Sequence, residues 1–489
     1  MTGGQYELPL ALVRRVLAGS EAWLVGGLVR DLAIAQAAQP RPGGEEDVDA
    51  RPVDLDVVVR FDPEQAAQSL AREGRATSFA LSRELGAWRV VAHDRSWQVD
   101  FEPMHGETLE DDLRRRDFTI DAIAQSLDRT LTIDPLGGLE DLARRRLRMV
   151  SPSAFGDDPL RVLRLVRLAV SLDMRADPET AAAARERAHL LLAVSAERIF
   201  AELTAIVDGA APLEGLRLMD ELAITPVVLP ELAELRGVQQ SRFHHRDVLG
   251  HTLEVLDQSV RLARDPAGLL GPEHAHAISC FLREPLADGL TRAGALRWGA
   301  LLHDIAKPRT RAVRPDGRVT FIGHDLQGAA LASAMLRRLR ASERLTSHVA
   351  GLVRDHLRLG FLVHEPQPLE RRVVYAYMRA CEPVELDVTL LSVADRLATR
   401  GDRSKEAIDA HLALARAMLG DALAWRAEGP PRALLRGAEL AAELGIERGP
   451  RLGELLEALR EAQYAGAVSD RAHALDYVRA LIASDAPRA

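Results

Sequence analysis

The hydrophobic patterning of this chain changes once, near residue 160, and that change limits what it can fold into. From about Leu160 to the end, Ala, Leu, Arg and Glu recur at three-and-four spacing with no convincing strand between them, the pattern of packed helices. The first 150 or so residues differ. There "DLDVVVR", "AWRVVA" and "WQVDFEPM" are short, alternating and β-branched or aromatic, while "EQAAQSLAREG" has helical spacing. A sheet carrying helices is expected for that part, so the chain reads as an α/β head on a long helical body, an α+β protein overall. At 489 residues it is too long for one core. Pro- and Gly-rich loops fall at residues 38–52, around "RPDGRV" and at "EGPPRA", the last setting off a C-terminal helical piece.

Several classes are disfavoured. No apolar run approaches the roughly 18 residues needed to span a bilayer, and the N-terminal residues lack the order of a secretory signal. The expectation is therefore a cytoplasmic protein with no membrane partner. Cys280 and Cys381 stand far apart and form no CxxC pair, so any metal must be held by His, Asp or Glu. The net charge of −9 argues against indiscriminate attraction to nucleic acid. Local arginine clusters can still attract phosphates: residues 114–116, residues 144–148, and Arg161, Arg164 and Arg167 spaced by three on one expected helix. Arginines on a helix also commonly form no more than a solvated face.

In "LVGGLVRDL" a short apolar stretch meets Gly26 and Gly27 and opens into a helix carrying Arg30 and Asp31. Glycines at such a junction let backbone approach a phosphate, or merely a neighbouring strand. In "DLDVVV", Asp54 and Asp56 are two apart on an expected strand, so both carboxylates leave the same face. Like charges that close are costly without a cation between them, and hard oxygen ligands favour Mg²⁺. DxD alone is common at strand ends. Asp100 and Glu102 in "WQVDFEPM" strengthen the case, because metals bridged by several acids can activate a 3′ hydroxyl and stabilise a leaving pyrophosphate.

Downstream, Arg115, Arg116 and Asp117 in "EDDLRRRDFTIDAIA" can neutralise phosphates and accept from a ribose hydroxyl, or simply open a salt-bridged helix around Thr119 and Asp121. In "SAFGDDPLRVLRLVRLAV", Asp158 and Arg161 stand three apart on an expected helix. Held side by side, an acceptor and a donor could accept the edges of cytosine and adenine and reject uracil and guanine. An ordinary intrahelical ion pair is the competing reading.

Taken in order, "LVGGLVRD", "DLD", "RRDFTIDA", "IDPLGGLEDL", "FGDDPLRVLR" and "SAERIFAEL" resemble the class II tRNA nucleotidyltransferase (CCA-adding enzyme) and bacterial poly(A) polymerase family. The family's head belongs to the DNA polymerase beta superfamily. The resemblance implies a nucleotidyltransferase head at residues 1–150, a helical neck with nucleotide-template and RNA-binding elements at 151–240, an HD domain at 241–400 and an RNA-binding helical tail at 401–489. It implies that Asp54 and Asp56 bind catalytic Mg²⁺ and that Asp100 is a further catalytic carboxylate. Gly26 and Gly27 would meet the triphosphate, Arg30, Arg116 and Asp117 would bind the nucleotide, and Asp158 with Arg161 would meet the incoming base. Glu197, Arg198 and Glu202 match a structural motif of the neck. The implied partners are tRNA, CTP and ATP, and the implied reaction is CCA addition or repair; poly(A), CC-only and A-only addition share the same motifs. Two departures stand out: Asp157 replaces the usual Glu before Asp158, and "LSRELGAWRVV" lacks the basic-aromatic segment of poly(A) enzymes, which favours the tRNA enzymes.

The helical body carries a second constellation: His251, His303, Asp304, His324, His356 and Asp395. An adjacent His-Asp pair on an apolar segment is expensive to bury without a cation, and imidazole with carboxylate suits Mn, Ni, Co or Zn. The set resembles the HD phosphohydrolase domain. That resemblance implies a primary site of His251, His303, Asp304 and Asp395, with His324 and His356 completing a second position and phosphohydrolase activity as a further capability. A hydrolase whose head only binds RNA is the rival reading.

Overall fold

The computed structural model describes residues 4–37, 53–240, 245–400 and 404–485. The long link at residues 38–52 lies outside them. The chain divides into two compact units, Met1–Val228 and Leu229–Ala489.

The first unit contains α1 (Gly4–Val16), β1 (Ala22–Val25), α2 (Gly27–Ala37), β2 (Val53–Val59) and α3 (Pro63–Gly74). The strands β3 (Ala76–Ser82), β4 (Ala87–Ala92), β5 (Trp97–Pro103), β6 (Ala124–Ser126) and β7 (Thr132–Ile133) follow. Among the described residues they form one mixed sheet in the order β3-β4-β5-β2-β1-β6-β7. β2 and β5 are parallel, with Asp56 opposite Asp100, and the other pairs are antiparallel. Alternation sets the faces of β2. Val53, Leu55, Val57 and Val59 are buried in a core with Leu10 and Val13 of α1 and Leu70 of α3. Each such side chain contributes roughly 1.5–3 kcal/mol when fully buried. Asp54, Asp56 and Val58 therefore leave the opposite face. α3 starts where Asp62 accepts from the Glu64 N–H with Pro63 in the first turn, and it stops at left-handed Arg75.

Beyond the sheet, helix Arg161–Ser171 buries Val162, Leu163, Leu165, Val166 and Leu168. Helix Ala196–Val207 packs on it. In the second unit, helices Val248–Arg264, Arg292–Leu302, Glu343–Asp355 and Glu385–Ala398 pack around Leu296, Ala300, Leu352 and Leu391. At Gly299 a Cβ would lie 2.5 Å from Leu352 Cδ1, so any side chain there would displace Leu352. Helices Gly437–Leu444, Pro450–Tyr464 and Arg471–Asp485 share a smaller core around Leu440, Leu455 and Leu459.

One expectation needs correcting. Short strands do occur after Leu160: Arg175–Ala176 pairs with Arg146–Leu147, and two small hairpins join Pro285–Ala287 to Leu290–Thr291 and Ala312–Val313 to Val319–Thr320. Two or three residues are too few for a period of two to register, and "RPDGRV" supplies the turn of the last hairpin.

Candidate functional sites

The head site grows from β2 and β5. Asp54, Asp56 and Asp100 each bring a carboxylate oxygen within 4.8 Å of the others. Burial pushes the Asp54 carboxyl up, and burial followed by the Asp54 charge pushes Asp56 up to about 7. Such crowding is relieved by a divalent cation, and the all-carboxylate donor set fits Mg²⁺. Asp100 is engaged differently. Arg89, its cross-strand partner on β4, donates Nε to Oδ1 at 2.7 Å and Nη2 to Oδ2 at 2.6 Å. The glycine pair sits against these acids. Gly26 has φ +70°, and a Cβ there would lie 2.6 Å from Asp56 Oδ2. Gly27 begins α2, whose first amides have no partner within the helix, and it lines the same cavity as Asp56.

A cavity of about 430 Å³ opens beside Asp56, lined by Gly26, Gly27, Arg30, Arg116, Asp117, Asp158, Arg161 and other polar side chains. Several of these are tied to partners, some local and some distant in sequence. Arg30 places Nη1 2.7 Å from Asp121 and Nε 2.9 Å from Asp31. Asp117 accepts from Phe118 N at 2.9 Å and lies 3.1 Å from Arg164 Nε. Arg116 approaches Asp112 at 3.6 Å and Glu102 at 3.8 Å. Arg161, Arg164 and Arg167 all face the cavity.

Asp158 and Arg161 are not on one helix face. Asp158 is extended, between helices Ala154–Asp157 and Arg161–Ser171, because Pro159 follows it. The two side chains do not hold each other in the described hydrogen bonds. Asp158 Oδ2 takes Arg198 Nη2 at 2.7 Å, and Arg161 donates to the carbonyls of Ala154 at 3.1 Å and Arg115 at 2.7 Å. Asp157 accepts from Ser153 Oγ at 2.9 Å. Glu202 holds Arg167 at 2.7 Å. The neck motif thus supplies direct partners to this cluster. The arginines at 144–148 are instead spent on the fold. Arg146 and Arg148 clamp fully buried Asp141, which also accepts from Thr119 Oγ1 at 2.6 Å, while Arg144 and Arg145 pair with Glu140 and Asp173.

In the second unit, five helices bring the His/Asp set together. His251, His303 and Asp304 form one group of convergent ligand atoms, and Asp304, His324 and His356 form another. Asp395 joins through His251, whose Nε2 lies 3.0 Å from Asp395 Oδ1. His303, His324 and His356 share one device. Each has Nδ1 at 2.6–2.8 Å from the carbonyl of the residue three before it, Ala300, Phe321 and Val353. A carbonyl only accepts, so Nδ1 carries the proton and Nε2 of the neutral ring offers a lone pair. His303 Nε2 then faces Asp304 Oδ2 at 3.1 Å and His324 Nε2 faces Oδ1 at 3.3 Å. Lone pairs opposed this way call for a cation, and second-group hydrogen bonds of this kind orient metal-binding imidazoles. The mixed donors fit a divalent transition metal. When His303 carries a second proton, its charge and that of Lys307 hold the Asp304 carboxyl well below the usual range despite burial. Burial and then His303 push the His356 imidazole down to about 4. Lys307, three residues after Asp304 and 2.6 Å from it, was absent from the sequence reading, although its spacing was visible there.

Comparison with known proteins gives three adjacent matches: the poly A polymerase head domain over residues 22–148, the probable RNA and SrmB-binding site of polymerase A over 173–235, and the HD domain over 248–400. The A-adding tRNA nucleotidyltransferase of Deinococcus radiodurans is 37% identical over 86% of this chain and 89% of that protein. The CC-adding tRNA nucleotidyltransferase of Thermus thermophilus is 34% identical over 93% of this chain and 92% of that one. Among solved structures, an apo CCA-adding enzyme has the same fold, with a TM-score of 0.61 at 18% identity, covering 98% of this chain and 95% of its own. Among the described residues no helix is long and apolar enough to cross a membrane.

Proposed function

The chain belongs to the tRNA nucleotidyltransferase and poly(A) polymerase family, and from that premise we propose that it adds C and A from CTP and ATP to the 3′ end of tRNA, building or repairing CCA. The observation that carries the proposal is the pair Asp54 and Asp56 on one face of β2, their carboxylates converging with that of Asp100, and Asp56 lining a cavity together with Gly26 and Gly27. Their carboxylates would hold Mg²⁺, which when bound lowers the cost of charge building on the phosphoryl oxygens. The amides at the start of α2 receive the triphosphate. Arg161 offers N–H donors and Asp158 an acceptor to the base edge, with Arg198 keeping Asp158 in place. The 3′ oxygen of the RNA bonds to the α-phosphorus, the bond to the bridging oxygen breaks, pyrophosphate leaves and the hydroxyl proton passes to water. The neck and the tail at 401–489 hold the RNA by shape and backbone charge.

A second reading within this class is favoured by the relatives themselves, which are named A-adding and CC-adding: the enzyme adds only part of CCA. tRNA truncated at each of its last three positions, supplied with CTP or ATP singly, separates the two. Incorporation at all three positions supports full CCA addition, and incorporation confined to the last, or to the first two, supports the partial reading. No transfer to any of them, with phosphatase activity intact, would favour a hydrolase with an RNA-binding head.

We also propose that the HD site holds Mn, Ni, Co or Zn and hydrolyses phosphate esters at RNA ends, water forming the new P–O bond while the ester P–O bond breaks and the leaving oxygen takes a proton. The convergent Nε2 atoms around Asp304 support this. His303→Ala should remove metal and phosphatase activity and spare incorporation, whereas Asp54→Ala should do the reverse.

A further inference from the structure

The His/Asp cluster adjoins two cavities, of about 770 and 180 Å³, and His356, Asp395, Arg396 and Thr399 line both. Their basic side chains are not equivalent. Lys307 is committed, with Nζ 2.6 Å from Asp304 Oδ2 and 2.7 Å from Gln240 Oε1. Arg396 is not: among the described residues its guanidinium has no ion pair or hydrogen bond, and its Nε is buried with no partner. The neighbouring Asp395 turns instead to His251. Arg396 lies in the last turn of helix Glu385–Ala398, where the helix carbonyls favour a cation. Its Nε is nonetheless shielded from water, and a buried donor left without a partner is unfavourable. A guanidinium so placed is completed by an anion, and its planar fork matches two oxygens of a phosphate.

The larger cavity adds a second chemical preference. Phe361 is 67% and Ile322 75% exposed at its edge, apolar surface that a nucleobase can cover. We propose that Arg396 is the anion-binding residue of this cavity and that the ligand is a nucleotide phosphate, with its phosphoryl group on Arg396 and its base against Phe361 and Ile322. The proposal rests on the reading of the His/Asp cluster as a metal site, and the two can fail separately.

The test is calorimetric titration of the full chain, loaded with Mn²⁺, using inorganic phosphate and 3′-AMP, with metal content and thermal melting recorded for each variant. Arg396→Ala should weaken both probes roughly tenfold or more, Arg396→Lys should recover part of the loss, and both should keep the wild-type metal content and melting temperature. Phe361→Ala should weaken 3′-AMP about fivefold or more while leaving inorganic phosphate unchanged. Wild-type phosphate affinity in a folded, metal-loaded Arg396→Ala protein would overturn the anion assignment, as would loss of the fold in both Arg396 variants. Unchanged 3′-AMP affinity in Phe361→Ala would overturn the base placement. Wild type that retains no Mn²⁺ would sink the metal reading, and phosphate binding that still depended on Arg396 would then support the anion site on its own.

Discussion

Replacing Gly26 by alanine should disable the head by moving one carboxylate, with little cost to the fold. Two separate effects can be sized. The residue sits at φ +70°, where an L side chain costs roughly 1–2 kcal/mol. In a unit of this size that lowers the melting temperature by about 2–8 °C. The new Cβ would also stand 2.6 Å from Asp56 Oδ2, whereas real Cβ contacts begin at 3.0–3.4 Å, so the carboxylate must retreat by about 0.4–0.8 Å. Misplacing a reacting group by about 1 Å can lower a rate on the order of 10²-fold. Turnover should therefore fall roughly ten- to a hundredfold, with a higher Mg²⁺ requirement, although the protein remains folded. Gly27→Ala is the control for the displacement of Asp56: its Cβ would meet only Arg30, with Nη2 at 3.4 Å, and the backbone there is ordinary. The assay is nucleotide incorporation into truncated tRNA across a Mg²⁺ series, beside thermal melts of both variants. A folded Gly26→Ala enzyme with wild-type turnover and wild-type Mg²⁺ dependence would refute the placement of Asp56 against the glycine turn.

Other expectations follow from the same contacts. Asp54→Asn should abolish incorporation, whereas Asp100→Asn should retain measurable turnover because Asp100 is already neutralised by Arg89; equal, complete loss in both would show that Asp100 is a metal ligand in the working enzyme. Asp141→Ala leaves the buried Thr119 hydroxyl without its acceptor and should cost roughly 1–3 kcal/mol, read from urea unfolding. Arg198→Ala should change stability by less than about 1 kcal/mol, since the pair is partly exposed, but should loosen nucleotide choice, measured as UTP and GTP misincorporation. His411 is buried and its imidazole is pushed down to about 4 by burial first. The unfolded chain, with a normal histidine near 6.5, therefore binds the extra proton between those values, so stability falls as pH drops from about 6.5 towards 4. The loss from this group should reach roughly 2 kcal/mol at pH 5, and His411→Asn should flatten that part of the pH dependence of urea unfolding.

What the sequence disclosed and what it hid divide along one physical line. Features fixed by backbone period were legible: Asp54 and Asp56 share a face because a strand repeats every two residues, and Gly26 marks a strand-to-helix turn because only glycine takes φ +70° cheaply beside a carboxylate. Features fixed by tertiary partners were not. Spacing paired Asp158 with Arg161, but Pro159 keeps Asp158 extended, and its ion partner is Arg198, forty residues on. The same holds for Arg30 with Asp121, Arg89 with Asp100 and Arg164 with Asp117. Each pair contains a residue singled out as chemistry-bearing, held by an opposite charge that stabilises its position in a half-buried site. An acid or base near a substrate must be held by an opposite charge that leaves part of it free, and that charge comes from whichever element packs nearby. Sequence reasoning therefore finds the groups that meet the substrate before those that aim them, and substitutions in the second set should alter selectivity and metal dependence more than they abolish turnover.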